Sequence, residues 1–261
     1  MKTEMTNDLQ KKVTKYGSVL KAFRSQGGGG MGLFAGGITL LVFGVLLGLP
    51  LAIANVVGGL VVFAIFAVLG IPMILGGKAM NKKRMAGYLE YYQEQTGYSP
   101  EELKAADREL MSPEAVKIVS KTDRSGGKKE TVFFITEHYF LSAWPVNGCY
   151  LRRLDDIVAA FYSNQIPGIN GYRQNLFVIT RQDIREKGKV NEYTKKQYRG
   201  FENGLLASQG NCYEICQEVV DELVKRAPHI ITSQNIAVKG VRYSLLSMED
   251  WQGDWAKILE N

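Results

Sequence analysis

From Met31 to Gly77 the chain lacks a single charged side chain, and across all 261 residues it has only two histidines and three cysteines. Each shortage excludes a class of chemistry. His138 and His229 stand far apart, the first at an expected strand turn and the second just past an expected helix. Cys212 and Cys216 lie one helical turn apart and Cys149 is alone, so a third and fourth zinc ligand are missing. On the cytoplasmic side such cysteines are expected as free thiols, with at least one of the helix pair buried. The glycine runs precede or interrupt apolar segments rather than opening a helix after a strand, so no phosphate-binding loop is present. Asp155-Asp156 opens a strand and reads as surface charge. The composition therefore points away from an enzyme and implies neither metal nor cofactor.

The uncharged stretch is itself informative. As one helix it would be about 70 Å long at about 1.5 Å per residue, over twice a hydrocarbon core of about 30 Å. Divided at Leu49-Pro50, where proline lacks a donor and disfavours helical geometry before it, it gives 33–49 and 52–75. These pieces are about 26 Å and about 36 Å long, each close to one crossing. A soluble core would need two helices apolar on every face, which at this length is the weaker reading. A signal peptide cleaved near Leu51 to Ala54 ("LAIA") is opposed by the long amino-terminal region and by the second apolar segment. Neither segment holds an ionisable group, which disfavours an ion pathway or proton relay. Small residues recur at helical spacing: Gly37, Gly44 and Gly48 in the first segment, Ala54 and Gly58 in the second, followed there by Ala67 and Gly70. They allow close approach of helices, either of the two spans to each other or of two copies of the chain.

The net charge is +6. Residues 1–30 carry Lys2, Lys11, Lys12, Lys15, Lys21 and Arg24 against Glu4 and Asp8, and Lys78, Lys82, Lys83 and Arg84 follow the second segment with no acid among them. The excess of base thus sits at the edges of the apolar hairpin and is no signature of nucleic acid. Basic flanks stay on the cytoplasmic side, so both termini are expected there with the Pro50 tip outside. Leu9, Val13, Tyr16, Leu20 and Phe23 form an amphipathic helical stripe. Its lysines suit an anionic inner leaflet, and its apolar face suits docking on the rest of the protein. Gly27 to Gly30 read as a linker. Ala86 to Tyr98 read as helical, and Ser99-Pro100-Glu101-Glu102 is a helix start whose helix ends near Ser112-Pro113.

From Ala115 the period changes. "AVKIVS", "ETVFFIT", "YFLSAW", "DIVAAFYS" and "QNLFVIT" are short β-branched and aromatic runs between turn signals; a sixth strand is expected within 191–201. Asn211 to Pro228 is one amphipathic helix with Ile215, Val219, Leu223 and Val224 on its buried face. The last stretch, 236–261, is a tail with a short helix. Ser247 and Asp250 are candidate caps, and Met248, Trp251, Trp255, Ile258 and Leu259 share a face that packs on protein, since the net acid charge there opposes an anionic leaflet.

The order of elements, with "FFITEHYFLSAW", "LRRLDDIVAAFYS", "LFVIT" and a closing helix ending "KRAPHI", resembles the pleckstrin-homology-like (PH-like) domains of bacterial membrane proteins over about residues 115–235. That resemblance implies an open barrel or antiparallel sheet closed by a C-terminal helix, and a binding or scaffolding module. In that superfamily some members bind lipid headgroups through a basic loop between the first two strands, which here carries Lys121, Arg124, Lys128 and Lys129. The alternative is a solvated turn whose charge Asp123 and Glu130 partly cancel.

The expectation is an integral membrane protein of the cell membrane with both termini cytoplasmic. It comprises an N-terminal basic helix and linker (1–30), a transmembrane hairpin (31–77), juxtamembrane helices (78–112), an α+β PH-like domain (113–235) and a C-terminal tail (236–261). Its expected partners are the lipid bilayer, anionic lipid headgroups and a second copy or another membrane protein. The expected role is membrane-anchored binding or scaffolding. The alternative is an accessory subunit of a membrane transport or secretion complex.

Overall fold

The computed structural model describes residues 7–25, 29–124, 127–144, 148–164, 175–186 and 212–260; the expected strand within 191–201 lies outside them. The chain divides into two units, Arg24–Glu94 and Met1–Phe23 with Gln95–Asn261.

The first unit is built on two long helices, α3 (Gly29–Ala54) and α4 (Val56–Ala86). Both exceed the segments 33–49 and 52–75 expected from the sequence, and the break falls at Asn55 instead of Leu49-Pro50. Pro50 lies inside the last turns of α3, where its missing donor costs one hydrogen bond close to a helix end. Asn55 does what proline does not. It takes an extended conformation (φ −151°, ψ 103°) and its side chain accepts the Gly58 amide, capping α4, as its short polar side chain favours. Gly29 and Gly30, assigned to a linker by composition, already belong to α3.

The two helices run antiparallel along a seam of glycines. Gly30 meets Gly77, Gly37 meets Gly70, Gly44 meets Phe66 and Gly48 meets Gly59. Gly30, Gly37 and Gly44 are seven residues apart, as are Gly70 and Gly77, and that spacing keeps one face in register over several turns. A Cβ added at Gly37 would fall 2.6 Å from the Gly70 carbonyl oxygen, and one added at Gly77 would fall 2.6 Å from that of Gly30. Large aliphatic residues occupy the outer surfaces: Val42, Leu46, Leu49, Leu60, Val68 and Leu75 are exposed, and Ile53 is 90 % exposed. Helix α5 (Tyr88–Thr96) follows.

The second unit is an α+β domain with two antiparallel sheets at its centre. Four strands form a meander in the order β1 (Val116–Arg124), β2 (Gly127–Ile135), β3 (Tyr139–Trp144) and β4 (Gly148–Arg153). After a single 3-10 turn, β5 (Ile157–Ser163) pairs with β6 (Asn175–Thr180), which runs into the short helix α7 (Arg181–Glu186). Strand β4 has no counterpart among the strands expected from sequence. Its "CYLRR" has two cations in five residues and reads as a connection. It is held by pairing with β3 and by the Arg153 amide, which donates to the Tyr98 hydroxyl at 2.8 Å. Burial pushes that hydroxyl up to about 12.

Helix α8 (Cys212–Arg226) packs Cys216, Val219 and Leu223 against Ile118, Phe133 and Phe140 of the meander and Ile157, Ala160 and Val178 of the β5–β6 pair. One core thus lies between the sheets and α8. A second forms on the other face of β5–β6, where Val158, Phe161, Phe177 and Ile179 meet Leu245, Leu246, Trp251, Trp255 and Ile258. The tryptophans come from α9 (Trp251–Leu259), whose N-cap Asp250 accepts the Gly253 amide. The stretch read from sequence as a tail is therefore part of the domain. It also contains a hairpin, β7 (Asn235–Val238) and β8 (Val241–Ser244). Its two-residue turn places Lys239 and Gly240 at φ 49° and 81°, the geometry of a type I′ turn.

The outer face of the meander is covered from the amino terminus. Helices α1 (Asn7–Tyr16) and α2 (Val19–Arg24) are separated at Gly17, whose φ of +57° ends the first helix. Leu9, Val13, Leu20 and Phe23 are buried, and the Phe23 ring meets Phe134 edge-on at 6.2 Å. The apolar stripe thus docks on protein. Helix α6 (Pro100–Met111), capped by Ser99 as its sequence signal implies, adds Leu103 and Leu110 to the buried set and supplies the latch. Asp107 Oδ1 accepts the amides of Val19 (2.9 Å) and Leu20 (3.1 Å), while Ser18 Oγ accepts that of Lys21.

Burial holds the Asp107 carboxyl above its ordinary value of 3.8, against the opposing hydrogen bonds from Ser18, Leu20 and Val19. In the window between 3.8 and the raised value the folded chain binds a proton that the unfolded chain has released. Stability contributed at this site is therefore present at acid pH and falls as pH rises through that window. Asp107→Asn keeps the acceptor and is expected to remove this slope, with stability in neutral buffer equal or higher. Asp107→Ala is expected to lose about 0.5–2 kcal/mol. Urea unfolding of the three proteins in mildly acidic and neutral buffer measures both effects. Equal slopes in the parent and the Asn variant would show that Asp107 is not the titrating group.

Candidate functional site

The residues singled out from sequence fall into three places. Gly37, Gly44 and Gly48 lie in the α3–α4 seam, so their close approach is used within the chain. Gly58 and Ala54 do not share that role: a Cβ on Gly58 would meet only Leu51 and its own cap Asn55 at 3.5 Å, and Ala54 is exposed. Gly30, Gly59 and Gly77 complete the seam and were not singled out, because a glycine's partner depends on the helix register.

The four cations of the expected loop stand on paired strands. Strands β1 and β2 continue to Arg124 and Gly127, leaving a two-residue connection. In the register Lys121 is opposite Glu130, Lys128 opposite Asp123, and Lys129 opposite Thr122.

His138 lies between β2 and β3, with its Nδ1 2.9 Å from Glu109 Oε1. Glu109 Oε2 also accepts the Thr136 hydroxyl at 2.8 Å and the His138 amide at 3.2 Å. This network ties α6 to the turn. His229 Nε2 lies 3.1 Å from the Ile157 carbonyl oxygen. Cys216 is buried among apolar side chains. Among the described residues no three of His, Cys, Asp and Glu form a group able to hold a metal ion.

A cluster at the base of the hairpin has no counterpart in the sequence reading beyond a count of charges. The antiparallel register brings the start of α3 and the end of α4 together, where Gly30 meets Gly77. The Arg24 guanidinium carbon lies 3.5 Å from the centre of the Tyr91 ring. Lys78 Nζ lies 5.9 Å over the Phe34 ring at the edge of the uncharged stretch.

The largest chemical feature remains the outer surface of α3 and α4. An 18-residue stretch of each has a mean hydropathy of 2.4 in α3 and 2.6 in α4, and little of either stretch is buried within the protein. Both helices are long and apolar enough to cross a membrane. No family model, curated protein or solved structure matches the chain.

Proposed function

We propose that the protein is a membrane-anchored binding or scaffolding protein and not an enzyme, with α3 and α4 crossing the bilayer as a hairpin. The carrying observation is the uncharged, outward-facing aliphatic surface of the two helices. Water would leave such a surface exposed at a cost of about 25 cal/mol per Å², whereas lipid covers it. The basic residues at the open end, Lys78, Lys82, Lys83 and Arg84, favour the cytoplasmic side for that end and the Asn55 tip outside. The α+β domain is then on the cytoplasmic face. Four meandering strands, a second strand pair and a closing helix are the order expected of a PH-like module, which supports reading the domain as the binding part. The glycine seam is occupied by the pairing of α3 with α4. What remains outside is large and aliphatic, which suits lipid better than a further helix and favours an anchor over a subunit of a transport or secretion complex.

Cysteine at Ala54, beside the tip, is expected to react with a membrane-impermeant thiol reagent on intact cells, above the background of the parent chain. Cysteine at Glu137, exposed in the β2–β3 turn, is expected to react only after lysis. Labelling of the Glu137 site on intact cells would put the domain outside. Release of the protein by alkaline carbonate would remove the membrane span altogether.

A further inference from the structure

The β7–β8 hairpin carries a cavity of about 500 Å³, lined by Asn235, Ile236, Ala237, Arg242, Tyr243 and Ser244. The register pairs Asn235 with Ser244, Ile236 with Tyr243 and Ala237 with Arg242. Side chains alternate between the two faces of a strand, and Ile236, Val238 and Tyr243 pack on the second core. Asn235, Ala237, Arg242 and Ser244 therefore share the opposite face. Packing on the core holds that face in place before any ligand arrives. Directly across the strands from Arg242 stands an alanine, at the position where a carboxylate would pair with it. Among the described residues Arg242 forms no ion pair with a carboxylate. Asn235 bonds with Ser233, and Ser244 with Ser247, through their backbone atoms. The carboxamide and the hydroxyl are thus left for a ligand.

The chemistry of that lining is one-sided. It holds one full positive charge, two side chains able to donate beside it, and no acid. The planar guanidinium fork matches the paired oxygens of a carboxylate or a phosphate, two bonds at once. Ala237 has only a methyl, so the space over the strands beside Arg242 stays open. A volume of about 500 Å³ lies within the range of small-molecule sites, about 300–1,000 Å³. We propose that this face of the hairpin binds a small anionic molecule through a carboxylate or phosphate group, with Arg242 as its charge partner and Asn235 and Ser244 as flanking donors. The hairpin belongs to the α+β domain, so the site does not depend on the membrane reading of α3 and α4. A chain that alkaline carbonate strips from membranes is still expected to bind.

The full chain in a neutral detergent is titrated at constant ionic strength with citrate, inorganic phosphate and hexaglutamate, with heat of binding and unfolding temperature as readouts. Citrate or phosphate is expected to bind with a Kd below about 1 mM and to raise the unfolding temperature. The tighter of the two identifies the preferred anionic group. Arg242→Gln is expected to weaken that binding at least about tenfold and to leave the unfolding temperature without ligand unchanged. Ala237→Glu puts a carboxylate directly opposite Arg242 and is expected to abolish binding, with the same or a higher unfolding temperature. Lys239→Gln removes one charge from the exposed turn and is expected to weaken binding no more than about fivefold. An equal loss in Lys239→Gln and Arg242→Gln would reduce the effect to overall charge and overturn the proposal. So would titrations that stay flat for both small anions, or full binding by the Ala237→Glu chain. A lower unfolding temperature for unliganded Arg242→Gln would mark Arg242 as a structural contact and overturn it as well. Hexaglutamate binding more tightly than either small anion would overturn the small-molecule assignment in favour of an acidic peptide.

Discussion

Ending the chain at Asn235, where the closing helix and its turn suggest a natural boundary, is expected to abolish cooperative unfolding of the sheet domain. The truncation removes Leu245, Leu246, Met248, Trp251, Trp255 and Ile258, which cover Val158, Phe161, Phe177 and Ile179. Both tryptophans are fully buried, with ring centres 5.8 Å apart in an edge-on arrangement. An indole buries roughly 150–250 Å², which at about 25 cal/mol per Å² is about 4–6 kcal/mol each as an upper bound. Two of them approach the whole stability of an ordinary domain, about 5–15 kcal/mol. The single change Trp255→Ala is expected to cost about 3–5 kcal/mol. Urea unfolding of the full chain in neutral detergent, followed by near-ultraviolet circular dichroism, measures both variants. A truncated chain that unfolds as cooperatively as the parent would show that the second core contributes nothing.

Gly37→Ala is expected to loosen the hairpin by about 1–3 kcal/mol, the usual cost of forcing volume into a packed interface. Its new methyl would lie 2.6 Å from the Gly70 carbonyl oxygen and 2.7 Å from Ile74 Cγ1. A backbone carbonyl cannot rotate away as a long side chain can, so the helices must part. A gap of about 0.5–1 Å already forfeits a quarter to a half of each van der Waals contact along the seam. Gly76→Ala is the matched control. Nothing lies within 4 Å of its added methyl, and alanine is favoured over glycine in a helix by about 0.5–1 kcal/mol. Dyes attached through bio-orthogonal side chains at Ala35 and Leu75, both exposed, report the sodium dodecyl sulfate fraction at which the helices separate. That midpoint is expected to fall for Gly37→Ala and to hold or rise for Gly76→Ala. Equal midpoints for the two variants would remove the seam as the source of hairpin stability.

The two variants probe different grades of information in the sequence. Local signals were legible. Ser99 caps α6 with Pro100 as its first residue, Asp250 caps α9, and the β-branched runs around Phe133, Phe140, Phe161 and Phe177 are strands. Each depends on interactions within a few residues, so a short window holds the whole cause. The break at Pro50 failed for the complementary reason. Proline penalises a helix locally, but the cost is small near a helix end, and Asn55 five residues later both ends α3 and caps α4.

The charge-free stretch from Met31 to Gly77 by itself determined that two long apolar helices exist, since length and hydropathy are properties of the chain alone. Only the tertiary structure decided what faces what. It placed Leu9, Val13, Leu20 and Phe23 on the protein, although their pattern suited a membrane surface equally. It made 236–261 the cover of a second core, because β5–β6 is apolar on both faces and one helix hides only one of them. It also set Gly37 against Gly70. Residues thirty-three apart are neighbours only through the antiparallel register of the glycine seam, and a register is fixed by the fit of two surfaces that no single stretch of sequence contains.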